Sequence, residues 1–382
     1  MVRVAMVVTN ACAPDPRVLR HAVWMQQAGY QVTVHAFDRS ENHPMSENYH
    51  GVRIMRYRIG KVAYGGTLST YRGIRRFQRT VIRTLSHDPP HLVYCHDADT
   101  LRIGAELKSD GGVPFVFDMH DLQHTWVLYD APQSRIRAMV SGRMKQRMLS
   151  RAAQAETIIT SSQQVKKDSH RGFVEWLAHH GLESEAVENR PLPPFGHSKS
   201  PPADQWTVGY IGRVRDIKAF ELLVQAVKTL PPLHRPKIRV AGDGTAAARV
   251  RTMLLDEVEA GTLEAEVSGA FTQAELPELL GEIDVMYAMY SPRRGNILQG
   301  ALPVKMFDAA AHGVPSLVND GCLMGDVAKK EGAGLTAPWG DAEAIGRALF
   351  ELKEQVAVLE ATGEREHQRW LTAMQTVLAG LQ

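Results

Sequence analysis

Apolar runs alternate with amphipathic segments along the first half of the chain. Residues 2–8 form an apolar run of the kind that is buried on both faces of a parallel sheet. Apolar residues then recur at helical spacing from Val18 to Met25, Gly29 ends that pattern, and residues 31–37 are a second apolar run. A strand, a helix and a strand at this spacing predict a βαβ unit with a right-handed crossover.

The alternation continues to residue 188. Further strands are predicted at 51–57, 91–94, 114–118 and 157–160, and helices at 70–86, 101–108, 134–155 and from Gln163 onward. Residues 189–205 carry five prolines and little apolar content, which is typical of an interdomain linker.

A second α/β series follows the linker. Its predicted strands are 207–210, 237–241, 265–267, 284–288, 316–318 and 334–335, and its helices are 219–229, 244–260, 273–282, 303–312 and 341–358. The expected domains are therefore 1–188 and 206–361, and a last helix, 362–382, is expected to pack back on the first domain. Two doubly wound domains predict a ligand cleft between them, at the carboxyl ends of the strands.

Composition agrees with two globular domains. The chain has 382 residues, of which 44% are hydrophobic and 23% charged. No run of about 18 apolar residues occurs, and the apolar N-terminus is too short for a secretory signal, so a cytoplasmic protein is expected. Three dispersed cysteines and sixteen histidines without an HExxH pattern predict no metal or redox site.

Charge is distributed unevenly between the two halves. Residues 1–200 hold 26 basic and 18 acidic residues, a net charge of +8, which leaves −6 for the remainder. This asymmetry indicates that the first half meets an anionic partner.

Glycines and basic residues follow the predicted strands of the second domain. Gly212 and Arg213 end the first of these strands, and Lys218 comes just before the next helix. Such a loop and a helix N-terminus suit a diphosphate, although solvated surface charge is the alternative. The AGDG turn that ends at Gly244 again places a glycine directly after a strand, so Gly212 and Gly244 are both expected to let the backbone approach the bound donor.

Residues 296–315 (NILQGALPVKMFDAAAHGVP) are the most informative stretch of the second domain. A Gly-Ala-Leu-Pro turn opens a helix that carries Lys305 and Asp308. The helix start and Lys305 suit a phosphate, and Asp308 is placed to accept hydrogen bonds from ribose hydroxyls.

In order and spacing these segments resemble the family-4 glycosyltransferases of GT-B fold, in which two Rossmann-like domains face each other across a cleft. The resemblance rests on six stretches: residues 15–38 (DPRVLRHAVWMQQAGYQVTVHAFD), 91–108 (HLVYCHDADTLRIGAELK), 113–122 (VPFVFDMHDL), 210–227 (YIGRVRDIKAFELLVQAV), 241–244 (AGDG) and 302–318 (LPVKMFDAAAHGVPSLV). It implies a retaining, metal-independent hexosyltransferase that uses a UDP- or GDP-sugar, as in polysaccharide biosynthesis.

The resemblance also implies residue roles. Arg213 and Lys218 would hold the donor diphosphate, Asp308 would replace a glutamate that binds the donor ribose, and His120 would lie beside the donor sugar and reacting centre. The family's paired glutamates are spaced E-x7-E, but here the first position is Gly300. A subset of the family with a P-x-K-x-F-E run also lacks this glutamate, and residues 303–308 (PVKMFD) resemble that subset.

The reaction implied by the resemblance requires few general acid or base residues. Two fixed cations would stabilise the charge that develops on the departing β-phosphate, so His120, Arg213 and Lys218 are the expected catalytic residues. No cofactor and no metal is expected, since the only DxD-like sequence, Asp97-Ala98-Asp99, falls in the acceptor-side domain.

The first domain is expected to bind the acceptor, through Asp15 and Arg17 after the first strand and through His96 and Asp97 after a later one. The alternatives are helix capping for Asp15, loop hydrogen bonding for His96 and Asp97, and a core position for His120.

Two helices carry dense basic runs. The first has arginines at three- and four-residue steps, at positions 72, 75, 76, 79 and 83, and the second mixes six basic residues with apolar ones between 135 and 151. A basic amphipathic helix suits an anionic membrane and a lipid-linked acceptor, while a solvated face is the alternative.

The sequence leaves two other functions open and disfavours two more. A GT-B epimerase and a nucleotide-sugar-binding protein without turnover, the latter suggested by Gly300, are the alternatives. A nicotinamide-dependent dehydrogenase is disfavoured because neither domain opens with G-x-G-x-x-G. Nucleic-acid binding is disfavoured by the acidic second half.

Overall fold

The computed structural model describes residues 1–62, 68–193, 195 and 205–381, so most of the proposed linker lies outside the described residues. The chain divides into two compact units. The N-terminal unit comprises Met1–Ser162, Phe173–Glu188 and His367–Gln382, and the C-terminal unit comprises Gln163–Gly172 and Asn189–Glu366.

The N-terminal unit is built on a mostly parallel sheet. Its strands are β1 (Arg3–Val8), β2 (Gln31–Phe37), β3 (Ser46–Tyr49), β4 (Val52–Tyr57), β5 (Leu92–His96), β6 (Phe115–Met119), β7 (Thr157–Thr160) and β8 (Glu185–Ala186), in the order β3-β4-β2-β1-β5-β6-β7-β8. Among the strands that the structure describes in this sheet, only β3 runs antiparallel, at one edge. The helices are α1 (Pro16–Gln27), α2 (Leu68–His87), α3 (Leu101–Gly111), α4 (Gln123–Trp126), α5 (Arg135–Ala152) and α6 (Phe173–His179).

The core of this unit lies where the apolar runs predicted it. All five residues of β5 and of β6 are buried, as a parallel sheet covered on both faces requires. The C-terminal helix α14 (Gly363–Ala379) adds Trp370 and Met374 to this core, and the Trp370 Nε1 donates to Tyr94 Oη at 3.3 Å.

The C-terminal unit has a wholly parallel sheet. Its strands are β9 (Thr207–Ile211), β10 (Lys237–Ala241), β11 (Ala265–Ser268), β12 (Val285–Ala288), β13 (Ser316–Asn319) and β14 (Gly334–Ala337), in the order β11-β10-β9-β12-β13-β14. Its helices are α7 (Ile217–Thr229), α8 (Ala247–Glu259), α9 (Leu276–Gly281), α10 (Gly295–Leu298), α11 (Val304–Ala311), α12 (Leu323–Glu331) and α13 (Ala342–Leu352). The strand order reverses between β9 and β12, which is where doubly wound folds bind ligands.

One predicted helix is wrong. No helix begins at Gln163; the next helix is α6, which starts at Phe173. Residues 163–172 cluster instead with the C-terminal unit, because the His170 backbone N–H and ring Nδ1 both lie 2.8 Å from Asp326 of α12. This segment has polar residues at nearly every position, so it offers no apolar face on which a helix could pack.

Candidate functional site

The loops after β9 and β10 pack backbone against backbone. The Gly212 N–H donates to Ala241 O at 2.9 Å, and the Val214 N–H donates to Asp243 O at 2.8 Å. Gly244 has a φ of +148°, and a Cβ there would lie 2.2 Å from Val214 O. Packing therefore explains the glycine at 244 without a ligand, whereas the sequence pattern predicted that it borders the donor.

Two of the predicted diphosphate ligands lie on this edge of the sheet. Arg213 is 57% exposed and its Nη1 lies 2.7 Å from Asp243 Oδ1. Lys218 is exposed at the second position of α7, where the N-cap residue Asp216 accepts a hydrogen bond from the Lys218 N–H at 3.0 Å. The helix dipole disfavours a cation at a helix N-terminus, so Lys218 does not serve helix stability there.

Lys305 occupies the equivalent second position of α11, but it is enclosed. Its Nζ is buried, has no hydrogen-bond partner among the described residues, and lies 3.2 Å from the ring centroid of Tyr210. Burial first, and Arg294 second, hold the pKa of Lys305 well below its usual value. A Cβ at Gly212 would lie 3.6 Å from the Lys305 Nζ, so the lysine is beside the loop that carries Arg213.

Backbone atoms fill the space that a side chain at position 300 would need, and this is the position of the first family glutamate. Gly300 has a φ of +110°, and a Cβ there would lie 2.7 Å from both the carbonyl oxygen of Arg171 and the Cα of Gly172. A glutamate at 300 would require the 163–172 segment to move. Asp308, eight residues later, is half-buried on α11, one turn beyond Lys305.

Asp118, on β6, is a buried carboxylate that contacts several polar side chains of the N-terminal unit. The Arg17 Nε donates to Asp118 Oδ2 at 2.9 Å, and His96 Nδ1 lies 2.9 Å from the same oxygen. Burial alone would raise the pKa of Asp118, but Arg17 and the neighbouring histidines hold it well below its ordinary value.

Arg17 and His96 were expected to face the acceptor, and their placement differs from that expectation. Arg17 is 4% exposed and His96 is fully buried, because both side chains are directed at the buried carboxylate of Asp118. Asp15 is the N-cap of α1 and accepts from the Val18 N–H, which is the capping alternative.

His21, His96 and Asp118 are the one group of described residues whose ligand atoms lie close enough together to hold a metal ion. Both oxygens of Asp118 already accept hydrogen bonds from Arg17, at 3.1 and 2.9 Å from its Nε. A guanidinium in that position competes with any metal cation for the same oxygens.

His120 and Asp97 form a partly exposed pair at the carboxyl ends of β6 and β5. The His120 Nε2 lies 3.1 Å from Asp97 Oδ2, and the Nδ1 lies 3.8 Å from Asp118 Oδ2. Burial alone would lower the pKa of His120, but the two carboxylates raise it well above its usual value. The imidazole is therefore held as a cation, with 23% of its side chain exposed.

Comparison with known proteins decides the family. Residues 13–176 match the glycosyl transferase 4-like domain, and residues 205–355 match the glycosyl transferases group 1 domain. The chain belongs to the family-4-like glycosyltransferases. A curated relative, an uncharacterized glycosyltransferase of Methanocaldococcus jannaschii, is 24% identical over 216 residues, and the match spans 53% of this chain and about half, 52%, of that protein.

Solved structures of glycosyltransferases share the fold over the whole chain. Sucrose-phosphate synthase from Thermosynechococcus elongatus has a TM-score of 0.71 at 14% identity, with 100% of this chain and 97% of that chain covered. Anabaena HepE in complex with UDP and glucose has a TM-score of 0.63 at 13% identity, with 100% and 99% covered. The chain therefore has the GT-B fold.

Several residues around these sites were not singled out from the sequence. Asp118 had a detectable signal, since it is a lone carboxylate within the apolar run FVFDM and a buried charge requires a partner. Tyr210, Tyr290 and Arg294 gave no such signal, because their relation to Lys305 depends on contacts between separate elements.

Proposed function

We propose that the protein is a retaining, metal-independent hexosyltransferase that moves a sugar from a nucleoside-diphosphate donor to a hydroxyl acceptor. The observation that carries this proposal is the placement of Arg213 and Lys218. Arg213 lies exposed in the loop after β9, and Lys218 is the second residue of α7, at the reversal point of the sheet. The two side chains and the N-terminus of α7 offer positive charge and N–H groups to a diphosphate.

In the proposed reaction the bond between the anomeric carbon and the β-phosphate oxygen breaks, and its electron pair stays on the phosphate. Arg213 and Lys218 stabilise the charge that develops there. The acceptor oxygen bonds to the anomeric carbon on the face that the phosphate leaves, and its proton passes to a phosphate oxygen. Asp308 binds the ribose, and the family resemblance assigns the His120 imidazolium a role beside the reacting centre.

The charge of His120 gives a pH-dependent prediction. Because the pKa of His120 is raised, its cationic form is present below the ordinary value of 6.5 and is lost as the pH rises through the higher folded value. The Asp97→Asn substitution removes the largest favourable contribution, so activity should decline at lower pH than in the wild type. The kcat/KM profile and the NMR titration of His120 should shift together, whereas Asp110→Asn, an exposed site, should shift neither.

A thermal-shift screen with UDP, GDP, ADP, dTDP and their sugar conjugates tests the donor site. A ligand that binds only the native state raises the Tm according to its concentration relative to Kd. One nucleoside diphosphate should raise the Tm of the wild type, and the Lys218→Ala variant should lose most of that shift. No shift with any nucleotide would contradict the proposal.

Product analysis distinguishes the proposed transferase from its two alternatives. A protein that binds donors without turnover would give a thermal shift and no glycoside, and an epimerase would change the donor sugar without an acceptor. Retention requires the same anomeric configuration in donor and product, and metal independence requires an unchanged rate in EDTA.

A second proposal concerns a lipid surface next to the acceptor domain. Four apolar side chains of α5 are exposed, namely Ile136, Met139, Val140 and Met144, and arginines lie among them. Helix α2 also packs on α3 and carries exposed arginines of its own. None of the described helices has the length and hydropathy to cross a bilayer. We propose that α5 rests on anionic lipid and brings the enzyme to a lipid-linked acceptor.

Vesicle co-sedimentation tests the lipid proposal. The wild type should sediment with phosphatidylcholine vesicles only when they contain phosphatidylglycerol, and the Ile136→Ser/Met139→Ser variant should stay in the supernatant. Leu233→Ser removes a 98% exposed leucine of the C-terminal unit and should not alter sedimentation. Binding that survives the α5 substitutions would contradict the proposal.

A further inference from the structure

The C-terminal unit contains a buried amine without a hydrogen-bond partner among the described residues. The Lys305 Nζ is enclosed by the rings of Tyr210, at 3.2 Å, and Tyr290, at 5.8 Å. The charged group that acts on it most is a cation, Arg294, which lies over the Tyr290 ring at 4.8 Å and opposes protonation of the amine. The tyrosine rings recover only part of the cost of burying an ammonium.

The side chain at this site differs from those that usually bind a neutral sugar. Sugar hydroxyls are commonly bound by carboxylates, and position 300, where the family has its first glutamate, is a glycine here. Gly300 leaves no room for any side chain, since the backbone of residues 171–172 fills the space a Cβ would need. The α11 start instead offers Lys305 in the same segment.

We propose that the sugar transferred by this enzyme carries a carboxylate, and that Lys305 binds it. The inference rests on the proposed function, since it assigns a substrate class to the same donor site. A nucleotide-sugar diphosphate carries about two negative charges, and Arg213, Lys218 and the N-terminus of α7 are the exposed groups at the β9 loop that can bind it. Lys305 is therefore available for a further oxyanion, as a uronic acid supplies.

Binding of a carboxylate should also change the protonation of this site. The pKa of Lys305 is held low in the free protein by burial and by Arg294, and the facing groups Tyr210 and Tyr290 have pKa values raised by burial, so they remain neutral. A carboxylate next to the amine restores its pKa, and complex formation then takes up a proton from solution.

Calorimetric titration with matched donor pairs tests the inference. UDP-glucuronate is compared with UDP-glucose, and GDP-mannuronate with GDP-mannose, in two buffers that differ in ionisation enthalpy. The uronate of the accepted base should bind about tenfold or more tightly than its neutral partner, as a charge-assisted hydrogen bond predicts. Its heat should depend on the buffer, which reports proton uptake.

The Lys305→Met variant identifies the group responsible, and Lys330→Met, an exposed lysine of α12, is the matched control. Lys305→Met should abolish both the preference for the uronate and the proton uptake, while binding of the nucleoside diphosphate alone and the Tm of the free protein are retained. Lys330→Met should resemble the wild type.

Three outcomes would overturn the inference. The wild type could bind both members of each pair equally, Lys305→Met could weaken the nucleoside diphosphate as much as the uronate conjugate, or the variant could lose stability without ligand. The second result assigns Lys305 to the phosphates, and the third makes it a structural residue. Absence of nucleoside diphosphate binding in the wild type would instead contradict the proposed function.

Discussion

Replacement of Lys218 by alanine is expected to lower kcat by about 100- to 1,000-fold, the range found when one preorganised group that stabilises developing charge is removed. The lysine is exposed on the first turn of α7, where the helix dipole opposes its charge. The Tm of the free protein should therefore stay the same or rise slightly. Initial rates with saturating donor and a melting curve of each protein measure the two effects.

Lys228 provides the control within the same helix. It lies in the last turn of α7, where the dipole favours a cation, and its Nζ lies 2.5 Å from Glu257 Oε2. Lys228→Ala should leave kcat unchanged and lower the Tm slightly, the opposite of Lys218→Ala in both measurements. Equal rates for the two variants would remove Lys218 from the donor site.

The Asp118→Asn substitution is expected to cost about 3–5 kcal/mol of folding stability, as is typical when one partner of a buried ion pair is lost. Asp118 is fully buried, and Arg17, which it neutralises, is 4% exposed. The variant leaves the guanidinium buried and uncompensated. Urea denaturation followed by circular dichroism measures the loss in the N-terminal unit.

The surface pair of Arg3 and Asp88 is the matched control for the buried pair. Its Nη1–Oδ2 distance is 2.6 Å, but the side chains are 41% and 71% exposed, so Asp88→Asn should change the urea midpoint little.

The pH dependence of stability gives a second test of the buried pair. Because the pKa of Asp118 is depressed, its contribution is present above the ordinary 3.8 and is lost as the pH falls through the lower folded value. Asp118→Asn should lack this acid-dependent loss.

Elements with a strong local pattern were predicted closely, and those without one were not. The strand at 237–241 and the strand at 31–37 agree with β10 and β2 residue for residue. Helix α12 was missed because its nine residues (LMGDVAKKE) are too few for a clear apolar period, and it is held by packing and by the αL glycine Gly332 at its C-cap. The edge strand β3 is exposed at all four residues and carries no apolar alternation.

The residues of the proposed donor site were suggested by the sequence, but the burial of each residue was not. Arg213, Lys218 and Lys305 were all recognised as basic residues near helix starts. Only the structure shows that Lys218 is exposed while Lys305 is enclosed by Tyr210, which makes the first suited to a solvated phosphate and the second to a buried oxyanion.

The chain's own periodicity thus determined the α/β class, the two sheets and the segments that border their carboxyl ends, because strands and helices reflect local alternation of apolar and polar residues. Tertiary structure alone decided that Arg17 and His96 are buried in contact with Asp118. It also decided that Asp97 favours the protonated form of His120 and that the backbone leaves no room for a side chain at Gly300. These properties depend on desolvation and on charges from distant parts of the chain, and no local pattern encodes either.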